Sequence, residues 1–266
     1  VQRPTPTGPP PSVSVVIPVK DDADHLRTCL DALGRQTRRA DEIIVVDNGS
    51  TDSSADLAAG FGATVVCCEQ PGVPAASARG YDAATGDVIL RLDADCVPSD
   101  TWVESVIDAF TQHPHVSVFT GVARFIDGPP ALRTPLAAAY LLGYAAVTVP
   151  TLGHLPLFGS NLAFRRSAWL AVRADVQRDD PEVHDDLDLA FHFGERHRIR
   201  RLPGADMGMS MRPFSSGRAF ARRVRRGFRT VLLHWPEDFP PVRWVRLALR
   251  RALHRLGVPT PARAAR

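Results

Sequence analysis

Val88-Ile-Leu-Arg-Leu-Asp-Ala-Asp-Cys96 is the stretch on which the fold turns. Its first five residues are apolar except for Arg91, which reads as a strand covered on both faces. The acidic triplet Asp93-Ala-Asp95 then falls at the carboxyl end of that strand. Two carboxylates so close repel each other, and a divalent cation beside them relieves the repulsion. Hard oxygen ligands suit Mn2+ or Mg2+, which complete their shells with water and a diphosphate. Asp93 and Asp95 are therefore the expected metal ligands.

Working outward, Val13-Ser-Val-Val-Ile17 is a β-branched run that Pro18 ends, and Glu42-Ile-Ile-Val-Val46 is a second buried strand. Between them Asp24 is a plausible cap for a helix carrying Leu26, Leu30 and Leu33 to about Arg35. Asp47-Asn-Gly-Ser-Thr-Asp52 is turn and cap chemistry that opens a helix through Ala59. A third strand is expected over Ala63–Cys68, a helix over Ala75–Ala84, and Val88–Leu92 is the fourth strand. This alternation predicts an α/β fold with a mostly parallel central sheet flanked by helices. Ligands of such sheets bind at the carboxyl ends of the strands. Asp21 and Asp22, Asp47, and Asp93 with Asp95 all stand at such ends, which makes the sheet edge the expected site.

Beyond Pro98 the pattern loosens. Helices are expected over Trp102–Phe110, Leu132–Val149, Ser167–Val172 and Asp185–Glu195. Val116–Phe125 reads as a strand, and Leu157–Phe164 as strand or loop. Two amphipathic helices close the chain, marked by Phe220, Val224, Phe228, Val231 and Leu232 and by Val242, Val245, Leu249, Leu253 and Leu256. Asp185, Asp186 and Asp188 crowd a helix start, where the dipole favours anions. Such a carboxylate can serve as a general base, and crowding is expected to raise its proton affinity. His184 and His234 read as structural.

The stretch from Val13 to about Phe193 resembles the family 2 glycosyltransferases, inverting enzymes of GT-A fold that use nucleotide-diphosphate sugars. The resemblance rests on Val13-Ser-Val-Val-Ile-Pro-Val19, Ile44-Val-Val-Asp-Asn-Gly-Ser-Thr-Asp52, Ser77-Ala-Arg79 and Leu92-Asp-Ala-Asp-Cys96. It continues with Gly159-Ser-Asn-Leu-Ala-Phe-Arg-Arg166 and Asp185-Asp-Leu-Asp-Leu189, all in the family's order. The resemblance implies that Pro18, Val19, Asp22, Asp47 and Arg79 lie on the nucleotide side. It likewise assigns Asp93, Ala94 and Asp95 to the donor and the metal. Gly159, Ser160, Asn161 and Asp185 would line the sugar and acceptor region, and Asp186 falls where the catalytic base sits. The implied reaction moves one sugar, with a UDP-sugar favoured, to a hydroxyl of a glycan, a lipid-linked or a small-molecule acceptor. Lys20 stands where the family often has an aromatic residue. No Gln-x-x-Arg-Trp motif is present, which argues against a processive synthase.

Composition bounds the alternatives. The net charge of +3 hides an acidic body of −9 and a segment from Arg212 onward of +12. That segment fits either a peripheral attachment to an anionic membrane surface or a solvated arginine face. Few aromatics interleave with its arginines, so nucleic acid is not an expected partner. The expected domains are a disordered lead over 1–12, a catalytic domain over 13–211 divided near 98, and a basic helical extension over 212–266. The apolar stretch between Pro135 and Pro150 reads as too short to span a membrane and as core, and four dispersed cysteines suit a cytoplasmic chain. Two rival functions remain on sequence grounds. A nucleotidyltransferase would want a glycine-rich loop after the first strand, which Pro18-Val-Lys-Asp-Asp22 is not. A non-catalytic membrane-surface protein would have no reason to keep repelling carboxylates together.

Overall fold

The computed structural model describes residues 9–214 and 216–256. Most of the expected disordered lead and the tail after Leu256 lie outside the described residues. Strands β1 (Val13–Val19), β2 (Glu42–Asp47), β3 (Thr64–Cys67) and β4 (Val88–Arg91) alternate with helices α1 (Ala23–Gly34), α2 (Ser54–Gly60) and α3 (Val73–Ala83). They pair in parallel in the spatial order β3-β2-β1-β4, as the alternation predicts. Next in the chain come β5 (Cys96–Pro98), α4 (Trp102–Gln112), β6 (Val118–Thr120) and β7 (Arg124–Phe125). They are followed by α5 (Pro130–Leu152), β8 (Leu162–Arg165), α6 (Arg166–Val172), α7 (Asp185–Arg196), β9 (Ile199–Arg201) and β10 (Met207–Met209). Helices α8 (Gly217–His234) and α9 (Pro240–Arg255) complete the described chain.

The main sheet continues past β4 through β8, β6 and β9, with β8 antiparallel to both of its neighbours. Side chains alternate across it with the period of two that a strand imposes. Val15, Ile17, Val45 and Leu90 meet α1 and α4 through Leu26, Leu30, Trp102 and Phe110. Val16, Ile44, Val46 and Ile89 face the other way and meet α3, α6 and α7 through Ala76, Trp169, Leu187 and Phe191. Both faces are thus covered, which is why the strands read as unbroken apolar runs. A Cβ on Gly80 would stand 2.4 Å from Val16 Cγ1, so glycine is what lets α3 lie this close to the sheet.

Three expectations change. The single strand expected over 116–125 is two: β6 ends at Thr120 in the main sheet, and β7 joins a small sheet in the order β5-β10-β7. Helix α5 runs 23 residues, from two residues before the expected Leu132 to three beyond the expected Val149, and so contains both Pro135 and Pro150. Each proline lacks the N–H that would bond one turn back, so α5 gives up one backbone bond at Pro135 and another at Pro150. By length and composition this helix could cross a membrane, with a window of mean hydropathy 1.4. It is also not core. Only Ala137, Thr148 and Leu152 are buried along it, while Leu142 and Val147 are 70% and 63% exposed.

The basic helices also depart from a plain solvated face. On α8, Arg225 and Arg226 pair with Glu182 and Arg229 with Asp180; on α9, Arg246 and Arg250 pair with Glu195. Arg243 is fully buried, donating to the carbonyls of Leu152 and Phe191 and to Asp238 Oδ1, with its guanidinium over the Phe191 ring. Removing a buried, hydrogen-bonded charge costs about 3–5 kcal/mol, because its partners stay behind without it. Arg243→Ala should lower the free energy of unfolding in urea by about that amount. A loss under about 1 kcal/mol would show that α9 docks by its apolar contacts alone.

Candidate active site

The site is built around a charged residue inside a buried strand. Arg91, the last residue of β4, has a side chain 4% exposed, and its Nη2 lies 2.9 Å from Asp93 Oδ1 and 3.2 Å from Asp185 Oδ2. Burial works against its charge, but the two carboxylates outweigh it and hold its pKa above the ordinary arginine value. Room for the guanidinium comes from Gly159, where a Cβ would stand 1.8 Å from Arg91 Nη1.

A cavity of about 660 Å3 opens over this group, at the carboxyl ends of β1 and β4. Pro18, Val19, Lys20 and Asp22 line one side, and Asp93, Ala94, Asp95 and Ser160 the floor. Asp185 and Asp186, at the start of α7, face the same space. Three groups of distant sequence are thereby brought together, as the strand-end rule predicts.

Other predicted residues fall elsewhere. Asp47 ends β2, where its carboxylate accepts the Ser50 N–H, and it does not line the cavity. Arg79 is exposed on α3 and outside the cavity wall, so the arginine that sets the acidic triplet is Arg91. Asn161 is fully buried. Its amide donates to the carbonyls of Val122 and Ala205 and accepts from the Trp102 indole, which makes it a tie between the two sheets. Gly159 acts from behind the wall, through its N–H and the space it leaves.

The floor can be read carboxylate by carboxylate. Asp93 Oδ2 accepts from Ser160 Oγ at 2.6 Å. Arg212, just before α8, reaches Asp95 Oδ2 at 2.9 Å and Asp22 Oδ2 at 2.6 Å. Burial and the charge of Asp93 push the Asp95 carboxyl up, against the pull of Arg212. Asp93, Asp95 and Cys96 offer ligand atoms within 4.8 Å of one another. Burial holds the Cys96 thiol protonated, its pKa pushed well above the usual value, so the two carboxylates are the fitting donors and suit a hard cation.

Asp186 is 7% exposed; its Oδ2 accepts the Gly159 N–H at 2.9 Å, and its Oδ1 lies 2.5 Å from His184 Nδ1. Neither of that last pair has an aligned hydrogen-bond partner, so the contact is an ion pair. The expectation of a raised proton affinity is corrected here. Burial does push Asp186 up, but His184, the Gly159 N–H and Arg91 together bring it down to about 2. Its neighbour Asp185 goes the other way, raised by burial and by Asp186 despite Arg91. His184, expected to be structural, touches the site directly, and the Tyr144 ring of α5 stacks on it at 6.3 Å. His234 does stay in the core, 2.9 Å from Asp188 Oδ1. Arg91, Arg212, His184 and the tyrosines were not read from sequence. Only Arg91 carried a signal, as the one charge in a buried strand.

A model of the family described as glycosyl transferase family 2 matches residues 14–170. Glycosyltransferase AglE of Haloferax volcanii is 36% identical over 102 residues, 35% of this chain and 34% of that protein. Putative glycosyltransferase EpsH of Bacillus subtilis is 28% identical over 196 residues, 70% of this chain and 57% of that protein. The chain therefore spans about a third to just over half of the length of these relatives. Glucosyl-3-phosphoglycerate synthase from Mycobacterium tuberculosis, solved with Mn2+, UDP and glucosyl-3-phosphoglycerate, superposes with a TM-score of 0.58 at 19% identity. That match covers 94% of this chain and 81% of the other. Mannosyltransferase PcManGT from Pyrobaculum calidifontis, with GDP-Man and Mn2+, gives 0.61 at 19% identity, over 95% and 77%. At these identities the likeness is one of fold, the GT-A arrangement.

The His184–Asp186 pair predicts a titration. Burial lowers the His184 pKa, but Asp186 outweighs it and the net value is raised above 6.5. The stability the imidazolium contributes is thus complete below 6.5 and is lost as pH climbs through the raised value. In an NMR titration His184 should change state above 6.5, and in Asp186→Asn its midpoint should fall below that of the native chain. An unchanged midpoint would remove the ion pair.

Proposed function

The chain belongs to glycosyl transferase family 2, and from that membership we propose that it moves a single sugar, with inversion, from a nucleotide-diphosphate sugar to an acceptor hydroxyl. A uridine donor is favoured. The observation that carries this is the placement of Asp186, buried and anionic, on the same cavity as Asp93 and Asp95. Inverting transfer needs a carboxylate on the acceptor side and a neutralised diphosphate on the other, and carboxylates suited to each task line one cavity.

In this reading Pro18, Val19, Asp22, Asp47 and Arg79 serve the nucleotide side, the first three from the cavity lining and the last two from outside it. Asp93, held by Arg91 and Ser160, orients the donor sugar or ribose. Asp95 and Asp93 would hold Mn2+ or Mg2+, which when bound supplies Lewis-acid charge for the departing diphosphate. Asp186 takes the proton of the acceptor hydroxyl as its oxygen bonds to the anomeric carbon and the diphosphate leaves. With a pKa near 2 it is ionised throughout the neutral range, and it becomes more basic once His184 gives up its proton. Residues 13–211 would then act as the catalytic domain, with 13–98 as its nucleotide half.

We further propose that the outer faces of α5, α8 and α9 rest on the inner, anionic face of a membrane. Leu142, Val147, Phe228, Leu232, Val245 and Leu249 are each at least 59% exposed, beside helices that carry arginine and no acid. Such faces gain from buried apolar area and from anionic headgroups together.

Loss of a general base typically costs about 10²–10⁴-fold in rate. Asp186→Asn should therefore lose turnover by about that factor while still binding UDP with Mn2+ in a thermal-shift assay. Near-normal turnover would remove Asp186 from the role, and a UDP shift indifferent to Mn2+ would remove the metal. The native chain should sediment with phosphatidylglycerol-containing vesicles at low salt and be released at high salt. No sedimentation at low salt would refute the membrane contact.

A further inference from the structure

We infer that Arg218, Arg222 and Arg223 of α8 form a subsite for a phosphate group carried by the acceptor. This deepens the transferase reading and rests on it. Positions 218, 222 and 226 recur every four residues, so they share one face of α8, and all three line the cavity together with Arg223. Like charges at that spacing repel, so the face is unfavourable unless an anion meets it.

Matching each cation to its acid shows which charges are left over. Arg91 serves Asp93 and Asp185, Arg212 serves Asp22 and Asp95, and His184 serves Asp186. Each acid lining the cavity thereby has a cation in contact, although these three cations face five carboxylates; Lys20 also lines the cavity, outside these pairs. Elsewhere on α8 the arginines that dock the helix have carboxylates of their own, Glu182 and Asp180. Among the described residues, Arg218 and Arg222 show no ion pair or hydrogen bond, and Arg223 donates only to the Tyr140 hydroxyl, at 2.8 Å. Arg226 pairs with Glu182 yet keeps a buried Nε with no partner. The cavity thus carries surplus positive charge on one wall. Guanidinium forks match the oxygens of a phosphate, which makes a phosphate group the fitting ligand.

The wall also says which substrate bears it. The donor diphosphate belongs with Asp93 and Asp95 at the strand ends. Arg223 instead meets Tyr140, and Tyr144 one turn along α5 stacks on His184, the partner of Asp186. A turn is about 5.4 Å, so a phosphate on Arg223 leaves the rest of its molecule beside Asp186, where the attacking hydroxyl must lie. The substrate class is a phosphate-bearing alcohol, either a small soluble ester or a lipid phosphate presented from a membrane.

The test is binding, read by calorimetry on the full chain with saturating UDP and Mn2+. One arm titrates glycerol 3-phosphate. The other uses phosphatidylcholine vesicles with and without undecaprenyl phosphate. The native chain should respond to glycerol 3-phosphate, to the phosphate-dependent vesicle signal, or to both, and the pattern names the source. Arg218→Gln with Arg222→Gln, at exposed positions without partners, should weaken that response about tenfold or more, since hydrogen bonds between charged groups contribute about 1.5–3 kcal/mol. Arg223→Gln should do the same and Arg223→Lys restore part of it, with UDP affinity unchanged in all. No response in either arm would overturn the subsite, and so would a UDP affinity that falls by the same factor, since the arginines would then belong to the donor. Turnover is not the readout, so an unaffected rate in Asp186→Asn would sink the transfer chemistry and leave this binding result standing.

Discussion

Arg91 is the interaction on which the site depends. Asp93 and Asp185 each lie about 3 Å from the same guanidinium nitrogen, so they are no more than about 6 Å apart. At an effective dielectric near 20, two such carboxylates repel by roughly 3 kcal/mol, while each gains roughly 5 kcal/mol from a guanidinium at 3 Å. Attraction wins, and it does so without a proton that could be lost, because arginine stays charged. The end of β4 and the start of α7 are therefore pinned together at a fixed separation. One end carries Asp93 and Asp95 and the other carries Asp186. Gly159 makes this possible twice, by leaving space for the guanidinium and by giving its N–H to Asp186.

The basic helices are part of the same electrostatic design. A body of −9 and a segment of +12 are complementary, and the ion pairs to Asp180, Glu182 and Glu195 are where they meet. Helix α8 then becomes a wall of the cavity and not an appendage. His184 donates its backbone N–H to Thr230 of α8, so the segment that leads into α7 is braced by the helix across from it.

How much of this was legible follows from local physics. The first four strands and the helices between them were readable, because the strands are apolar runs bounded by turn chemistry and alternate with helical spacing. Cys67, the last residue of β3, is exposed, and Cys68, just beyond the strand, is buried. The later strands are two to four residues long, and a period of two cannot be seen in so few. The apolar stretch between Pro135 and Pro150 reads as too short to span a membrane because proline is a boundary signal, whereas α5 runs through both prolines. Its exposure was hidden too, since an apolar stripe looks the same whether protein or lipid covers it. Arg79 and Asn161 were assigned by resemblance, which carries position in the sequence but not the direction of a side chain. The lowered proton affinity of Asp186 was beyond sequence altogether, since burial and crowding argue for a rise. The 2.5 Å approach of His184, together with the Gly159 N–H and Arg91, reverses the sign.

Arg212 raises the last question of charge. It bridges Asp95 to Asp22, and so joins the carboxyl end of β1 to that of β4 across the mouth of the cavity. A monovalent guanidinium there offsets part of the repulsion between two partly buried acids, and Asp95 remains raised in spite of it. The compensation is incomplete, and a carboxylate pushed toward protonation is one that a divalent charge would favour strongly. The Arg212 side chain is 47% exposed, so its bond to Asp95 is a solvent-screened one, worth about 1 kcal/mol or less. Sharing Asp95 with a cation therefore costs little, and Asp22 keeps the arginine at hand at the end of β1. The same residue can hold the two strand ends in register and stand beside a diphosphate as a second positive charge.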